Sequence, residues 1–231
     1  MSMTRLILPI VFIAGFTLLA GAQPANYPPS AKESIEWCDI WISHANETNL
    51  PRVLLIGDSI TRDYYPGVEK HLEGKACVGR LSSSAFISDP VLLKQIEMVL
   101  SQYKFDVIHF NNGMHGWQHS ENEYERELPK ILKAIQKGAP NAKLIWATTT
   151  SLKVSPALPP DNQSQATDER IAARNAIVLK FAQAKGIPVD DLNTPMSGHP
   201  ELHSDNVHFN SQGVALQAAQ VAAQVEKLLK P

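Results

Sequence analysis

A chain of 231 residues, 44% of them hydrophobic, suits one compact domain with a sizeable core. A formal net charge of −2 with no basic block gives no reason to expect a nucleic-acid partner. Arg5 is followed by the apolar run LILPIVFIAGFTLLA and then AGAQ. A basic start, a short greasy stretch and a small-residue exit have the pattern of a secretory signal peptide over residues 1–22, with cleavage expected after Ala22. The run is shorter than the ~20 apolar residues a bilayer span needs, and Pro9 and Gly15 interrupt it, so an uncleaved anchor is the weaker reading. No later segment is long and apolar enough to span. The expected location is therefore secreted or periplasmic, with no stable membrane association after cleavage.

Residues 23–50 form an N-terminal extension. QPANYPPS has neither helical nor strand period, while SIEWCDIWISHANET sets Ile35, Trp37, Cys38 and Trp41 at helical spacing and predicts a short helix. The domain proper spans 51–231. RVLLIG is a buried strand with a glycine stop. RDYYPGVEKHL is mixed, partly helical and broken near Pro66-Gly67, and ACVGR is a second strand ending at Gly79. Asp89 and Pro90 cap and open a helix whose apolar stripe is Leu92, Leu93, Ile96, Val99 and Leu100. FDVIHFN is the third strand. Ser120 and Glu123 have the spacing of a capping box for the next helix, which Gly138 ends. AKLIWATTT is the fourth strand, followed by the long loop SLKVSPALPPDNQSQ. A helix over TDERIAARNAIVLKFAQAKG, a short strand IPVDDL, the loop HSDNVHFNSQG and a last alanine-rich helix complete the chain. Export would permit Cys38 and Cys77 to form a disulfide, worth roughly 4 kcal/mol for a loop of that length; two separate thiols fit the spacing equally well.

Strands alternate with helices, so right-handed crossovers give an α/β fold: a three-layer α/β/α sandwich around a mostly parallel five-stranded sheet. Ligands bind outside the carboxyl ends of such strands. Ser59, Gly79, NNGMHG and SDNVH all follow a strand or precede the last helix, so they meet at one edge.

Ser59 follows the first strand and begins a helix, where the dipole favours developing negative charge. A hydroxyl is a poor nucleophile until a base takes its proton. Asp205 precedes His208 by three residues; on a tight turn its carboxylate fixes one ring nitrogen and leaves the other facing the serine. Asp58 is read as a structural residue behind Ser59, and Trp146 as core.

IGDSIT near the start and DNVHFNSQGVALQA near the end resemble the first and last signature blocks of the GDSL/SGNH hydrolases. The resemblance spans Arg52 to Leu229. It implies a flavodoxin-like three-layer fold and an esterase, lipase, thioesterase or carbohydrate deacetylase activity. It also implies Ser59 as nucleophile, His208 as base and Asp205 as orienting acid. The N–H groups of Ser59 and Gly79 would serve the oxyanion. The third block departs from the family's Gly-x-Asn-Asp: FNNGMHGW offers Asn112, the first choice on strand-end alignment, or His115, on alignment at Gly113. Arg80, Trp117 and His119 are weaker candidates for substrate contact.

The expected function is a secreted serine esterase removing small acyl groups, O-acetyl foremost, from an acylated small molecule or glycan, with no cofactor and no metal. Three alternatives stand beside it. His203, Asp205 and His208 offer ligands for a metal-dependent hydrolase but would leave Ser59 idle. A non-catalytic carbohydrate-binding module and an acetyltransferase share the same fold.

Overall fold

The computed structural model describes residues 33–154 and 166–229. The expected signal peptide, the Pro-rich lead-in and the middle of the loop after AKLIWATTT lie outside the described residues. In chain order the elements are β1 (Cys38–Ile42), β2 (Arg52–Gly57), α1 (Ser59–His71), β3 (Cys77–Ser83), α2 (Pro90–Gln102), β4 (Val107–Phe110), α3 (Glu121–Gly138), β5 (Lys143–Ala147), α4 (Asp168–Lys185), β6 (Val189–Asp190) and α5 (Ser211–Leu229). The sheet order is β1-β3-β2-β4-β5-β6.

β2 to β6 are the five parallel strands expected, and β1 adds a sixth, antiparallel to β3. The helix expected around Trp37 and Trp41 is therefore a strand. Its side chains follow period 2: Ile40 and Ile42 pack against the core while Trp41 between them faces outward, and Cys38, on the same face as Ile40, is exposed at the end of the strand. Ile35, which helical spacing would have buried, is 72% exposed.

β1 also decides the cysteine question. Cys38 pairs with Ser83 at one end of β3, and Cys77 stands at the other end of that strand. Six residues of strand separate the two levels, roughly 20 Å, far beyond disulfide reach. Both thiols are free. Thiol titration of unfolded, unreduced protein is thus expected to return two thiols, and a result near zero would contradict the register. In the native state only the exposed Cys38 should react, and slowly, because burial and then Asp39 raise its thiol above the ordinary range.

The strands divide their side chains between two cores. Val53, Leu55 and Val107 face the layer built by α1 and α5; Leu54, Ile56, Ile108 and Phe110 face the layer of α2, α3 and α4. α1 runs unbroken through Pro66, against expectation. Pro66 sits on the exposed side, while Tyr64, Tyr65 and Val68 are buried. Gly67 lets α5 approach closely, since a Cβ there would lie 2.6 Å from that of Ala218. Tertiary packing of this kind outweighs local propensity. Among the described residues no helix is long and apolar enough to cross a membrane.

The chain leaves β2 for β3 on one side and then returns to β4 on the other. The carboxyl end of β2 is thus the point where strand order reverses, which is where sheets of this kind bind their ligands.

Candidate active site

Ser59 stands at that reversal. Asp58, buried, is the N-cap of α1 and accepts the Ile60 N–H at 3.0 Å. Because Asp58 has the capping role, the Ser59 hydroxyl is released from it and is the first residue of the helix. Gly57 permits the tight exit from β2: a Cβ there would fall 2.0 Å from Thr61 Oγ1.

The Ser59 Oγ lies 2.8 Å from His208 Nε2, and His208 Nδ1 lies 2.8 Å from Asp205 Oδ2. The backbone N–H groups of Val207 and His208 donate to the other oxygen, Oδ1, at 2.8 and 2.7 Å. A carboxylate partner assigns the proton to Nδ1, so Nε2 is left to accept the serine O–H. Burial pushes the Asp205 carboxyl up, but the His208 and Val207 N–H groups and the ring outweigh it and hold the carboxyl below its usual range. It therefore stays ionised into mildly acid solution. The side chains of Asp205 and His208 remain 58% and 35% exposed, so the chain of hydrogen bonds lies at an open edge.

The loop after β4 forms the other wall. Asn111 donates its N–H to the Ile56 carbonyl and its side-chain amide to Ala147. Asn112 Nδ2 donates to the Ala85 carbonyl at 2.9 Å, and its Oδ1, an acceptor, is buried without a partner among the described residues. His115 bonds through Nδ1 to Glu33 Oε1 at 2.7 Å, and its buried Nε2 has no partner among the described residues. Arg174 of α4, almost wholly buried, donates to the carbonyls of Gly113, His115 and Gly116 and fixes the loop. Neither Glu33 nor Arg174 was among the expected residues; both act across long stretches of sequence.

The sequence profile of the GDSL-like lipase/acylhydrolase family matches residues 55–216, more than half of the chain. The chain belongs to the GDSL-like lipase/acylhydrolase family. As such it is a carboxylic-ester hydrolase. Similar solved structures include a family 3 carbohydrate esterase from Talaromyces cellulolyticus, with 18% identity and a TM-score of 0.64 over 78% of this chain and 99% of that one. The aryl esterase of M. smegmatis matches at 14% identity and a TM-score of 0.63 over 77% and 99%. A member of the lipolytic G-D-S-L family from Veillonella parvula matches at 18% and 0.58 over 76% and 98%. At these identities the likeness is one of fold. Among curated proteins no significant sequence match is found.

In this GDSL-family chain four expected contacts lie elsewhere. Gly79 does not end β3; it pairs with Leu54 and Ile42 inside the sheet, three residues short of Ser82, which is level with Gly57. That is about 10 Å from the strand end. Its small size serves β1, since a Cβ would meet Ile42 Cδ1 at 2.9 Å. Ser82, Ser83 and Ser84 occupy the level where that glycine was expected. Arg80 is paired with Asp39 at 2.7 Å and lies 4.7 Å over the Tyr65 ring, so it braces β1 and α1. Trp117 is buried, with the Arg174 guanidinium 3.9 Å over the centre of its ring. His119 is held by Glu123 at 2.9 Å and leans on Phe86.

The GDSL-family site does not gather the three ligands of HSDNVH around one point. His203 is buried against Phe209, with ring centroids 4.2 Å apart. Among the described residues no group of three His, Cys, Asp or Glu side chains is placed to hold a metal. A groove of about 590 Å³ lined by His44, Glu69, Lys70, Glu73 and Cys77 lies toward the amino end of β3, away from Ser59, and takes no part in this chemistry.

Proposed function

We propose that the chain is an exported serine esterase that removes small acyl groups, O-acetyl foremost, from carbohydrate. The observation that carries this reading is the unbroken hydrogen-bonded line from Ser59 through His208 to Asp205. Ser59 Oγ attacks the ester carbonyl while its proton passes to His208 Nε2. Asp205 stabilises the imidazolium and does not itself take the proton. His208 then returns the proton to the departing sugar oxygen, leaving acetyl-Ser59. Water attacks the acyl-enzyme, giving its proton to His208, and acetate leaves with Ser59 restored.

The oxyanion is served by the Ser59 N–H at the N-terminus of α1 and by the loop after β4. Within that loop His115 is the better donor, because one Asn112 amide N–H is engaged with Ala85 and its buried Oδ1 is an acceptor, whereas His115 Nε2 has no partner among the described residues. The open placement of His208 and Asp205 suits a bulky polar alcohol outside the acyl pocket, and the fold shared with a carbohydrate esterase supports the same substrate class. Export follows from the leader-like residues 1–22.

Wild-type protein is expected to release acetate from acetylated saccharides and to give a burst of nitrophenol from p-nitrophenyl acetate. Inertness on every acetyl ester in such a panel would overturn the reading.

A further inference from the structure

We propose that Glu33 is a positioning residue of this site: by holding His115 Nδ1 it keeps the ring an imidazolium whose Nε2–H meets the oxyanion. The inference rests on the serine-esterase reading above.

The geometry begins with a proton count. Glu33 Oε1 sits 2.7 Å from Nδ1, and both side chains are largely buried. A carboxylate accepts and cannot donate, so Nδ1 must carry its proton. A neutral ring would then present a lone pair at Nε2, which would repel an oxyanion. Only the doubly protonated ring offers Nε2–H as well. That nitrogen is buried and has no partner among the described residues, which marks a position that a ligand atom completes. A charged donor also gives a shorter and stronger hydrogen bond to an oxyanion than an amide does.

The surroundings favour the charge. Burial opposes it, but the Glu33 hydrogen bond outweighs that together with the charges of Asp58, Glu33 and Glu36, and His115 titrates above the ordinary histidine range. Asp58 comes from the turn that carries the nucleophile; Glu33 and Glu36 come from the segment before β1. From α4 the Arg174 guanidinium faces the same residue, but through its carbonyl oxygen. The segment bearing Glu33 is itself anchored on the end of β3. Trp37 N–H donates to Ser84 Oγ at 2.9 Å, Ser84 N–H donates to the Trp37 carbonyl, and Ser84 Oγ lies 2.9 Å from Glu36 Oε2. The stretch before the sheet thereby completes a site whose nucleophile and base lie far along the chain.

The test is a pH–rate series on p-nitrophenyl acetate with wild type, Glu33→Ala, His115→Asn and the double variant. Wild type should lose kcat at alkaline pH as His115 gives up its second proton. Glu33→Ala should move that loss to lower pH and, at a pH between the two alkaline losses, reduce kcat by up to about 10²-fold, the size of a missing oxyanion donor, with KM little changed. His115→Asn supplies an amide that does not titrate, so its alkaline loss should vanish, and adding Glu33→Ala to it should change nothing further. A Glu33→Ala profile that overlays wild type, or an equal penalty in the His115→Asn background, overturns the proposal. Ser59→Ala separates the two levels: full turnover there removes the esterase reading itself, whereas a dead Ser59→Ala beside an unaltered Glu33→Ala removes only this inference.

Discussion

Ser59→Ala should lower kcat on acetyl esters by about 10⁴–10⁶-fold, as loss of a serine nucleophile does when the remaining groups act only with it. The size follows from the geometry. His208 Nε2 has the Ser59 hydroxyl as its partner, and without that hydroxyl the base and Asp205 have nothing to activate. The fold should be untouched, because the cap of α1 is Asp58 and the removed oxygen takes no part in it. Substrate binding should change little, so the loss should fall on kcat. Asp205→Ala should cost less, since its carboxylate is more than half exposed and water can occupy its place beside Nδ1. A Ser59→Ala enzyme with full turnover would exclude the acyl-enzyme.

Arg174→Met should destabilise the protein by about 3–5 kcal/mol, the range for breaking a buried charged network from one side. The guanidinium donates to three carbonyls of one loop, Gly113 at 2.8 Å, His115 at 2.9 Å and Gly116 at 3.0 Å, and covers Trp117. Methionine fills much of the volume but donates nothing, and the carbonyls it abandons have no route to water. Burial, against the pull of Tyr124 and Glu121, lowers the guanidinium to about 10, so it is still charged at neutral pH. Gly113 lies close to the segment just after β5, where a Cβ on it would fall 1.9 Å from Thr149 Oγ1. Urea unfolding would give the stability change, and kcat measured well below the transition should also fall, since the same loop carries His115. A stability change under about 1 kcal/mol would mean that the loop is held by other contacts.

The parallel sheet was legible because its strands are buried on both faces and read as short runs of Val, Ile and Leu between helical patterns. The convergence of Ser59 with His208 was legible for a related reason: strand ends share one edge, and Asp205–His208 is a local turn. β1 was not, because in a five-residue edge strand Ile and Trp fit period 2 and period 3.6 alike, and its partner lies some forty residues on. That omission carried the next one. Without β1, the polar RLSS reads as a loop, and Gly79 falls at a strand end rather than under Ile42. Pro66 suggested a break that the packing of α1 on α5 overrides. Trp117 looked free to line a cleft because nothing near it in sequence shows the two α4 arginines, Arg170 and Arg174, that cover it. Glu33 and His115 are 82 residues apart, and no local pattern joins them.

The most direct measurement is to treat the wild-type protein with an aryl phosphonate ester and map the modified peptide by mass spectrometry. One adduct on Ser59, formed as activity disappears and blocked by His208→Ala, is the expected result. An adduct on another residue, or activity that survives full modification of Ser59, would contradict the assignment.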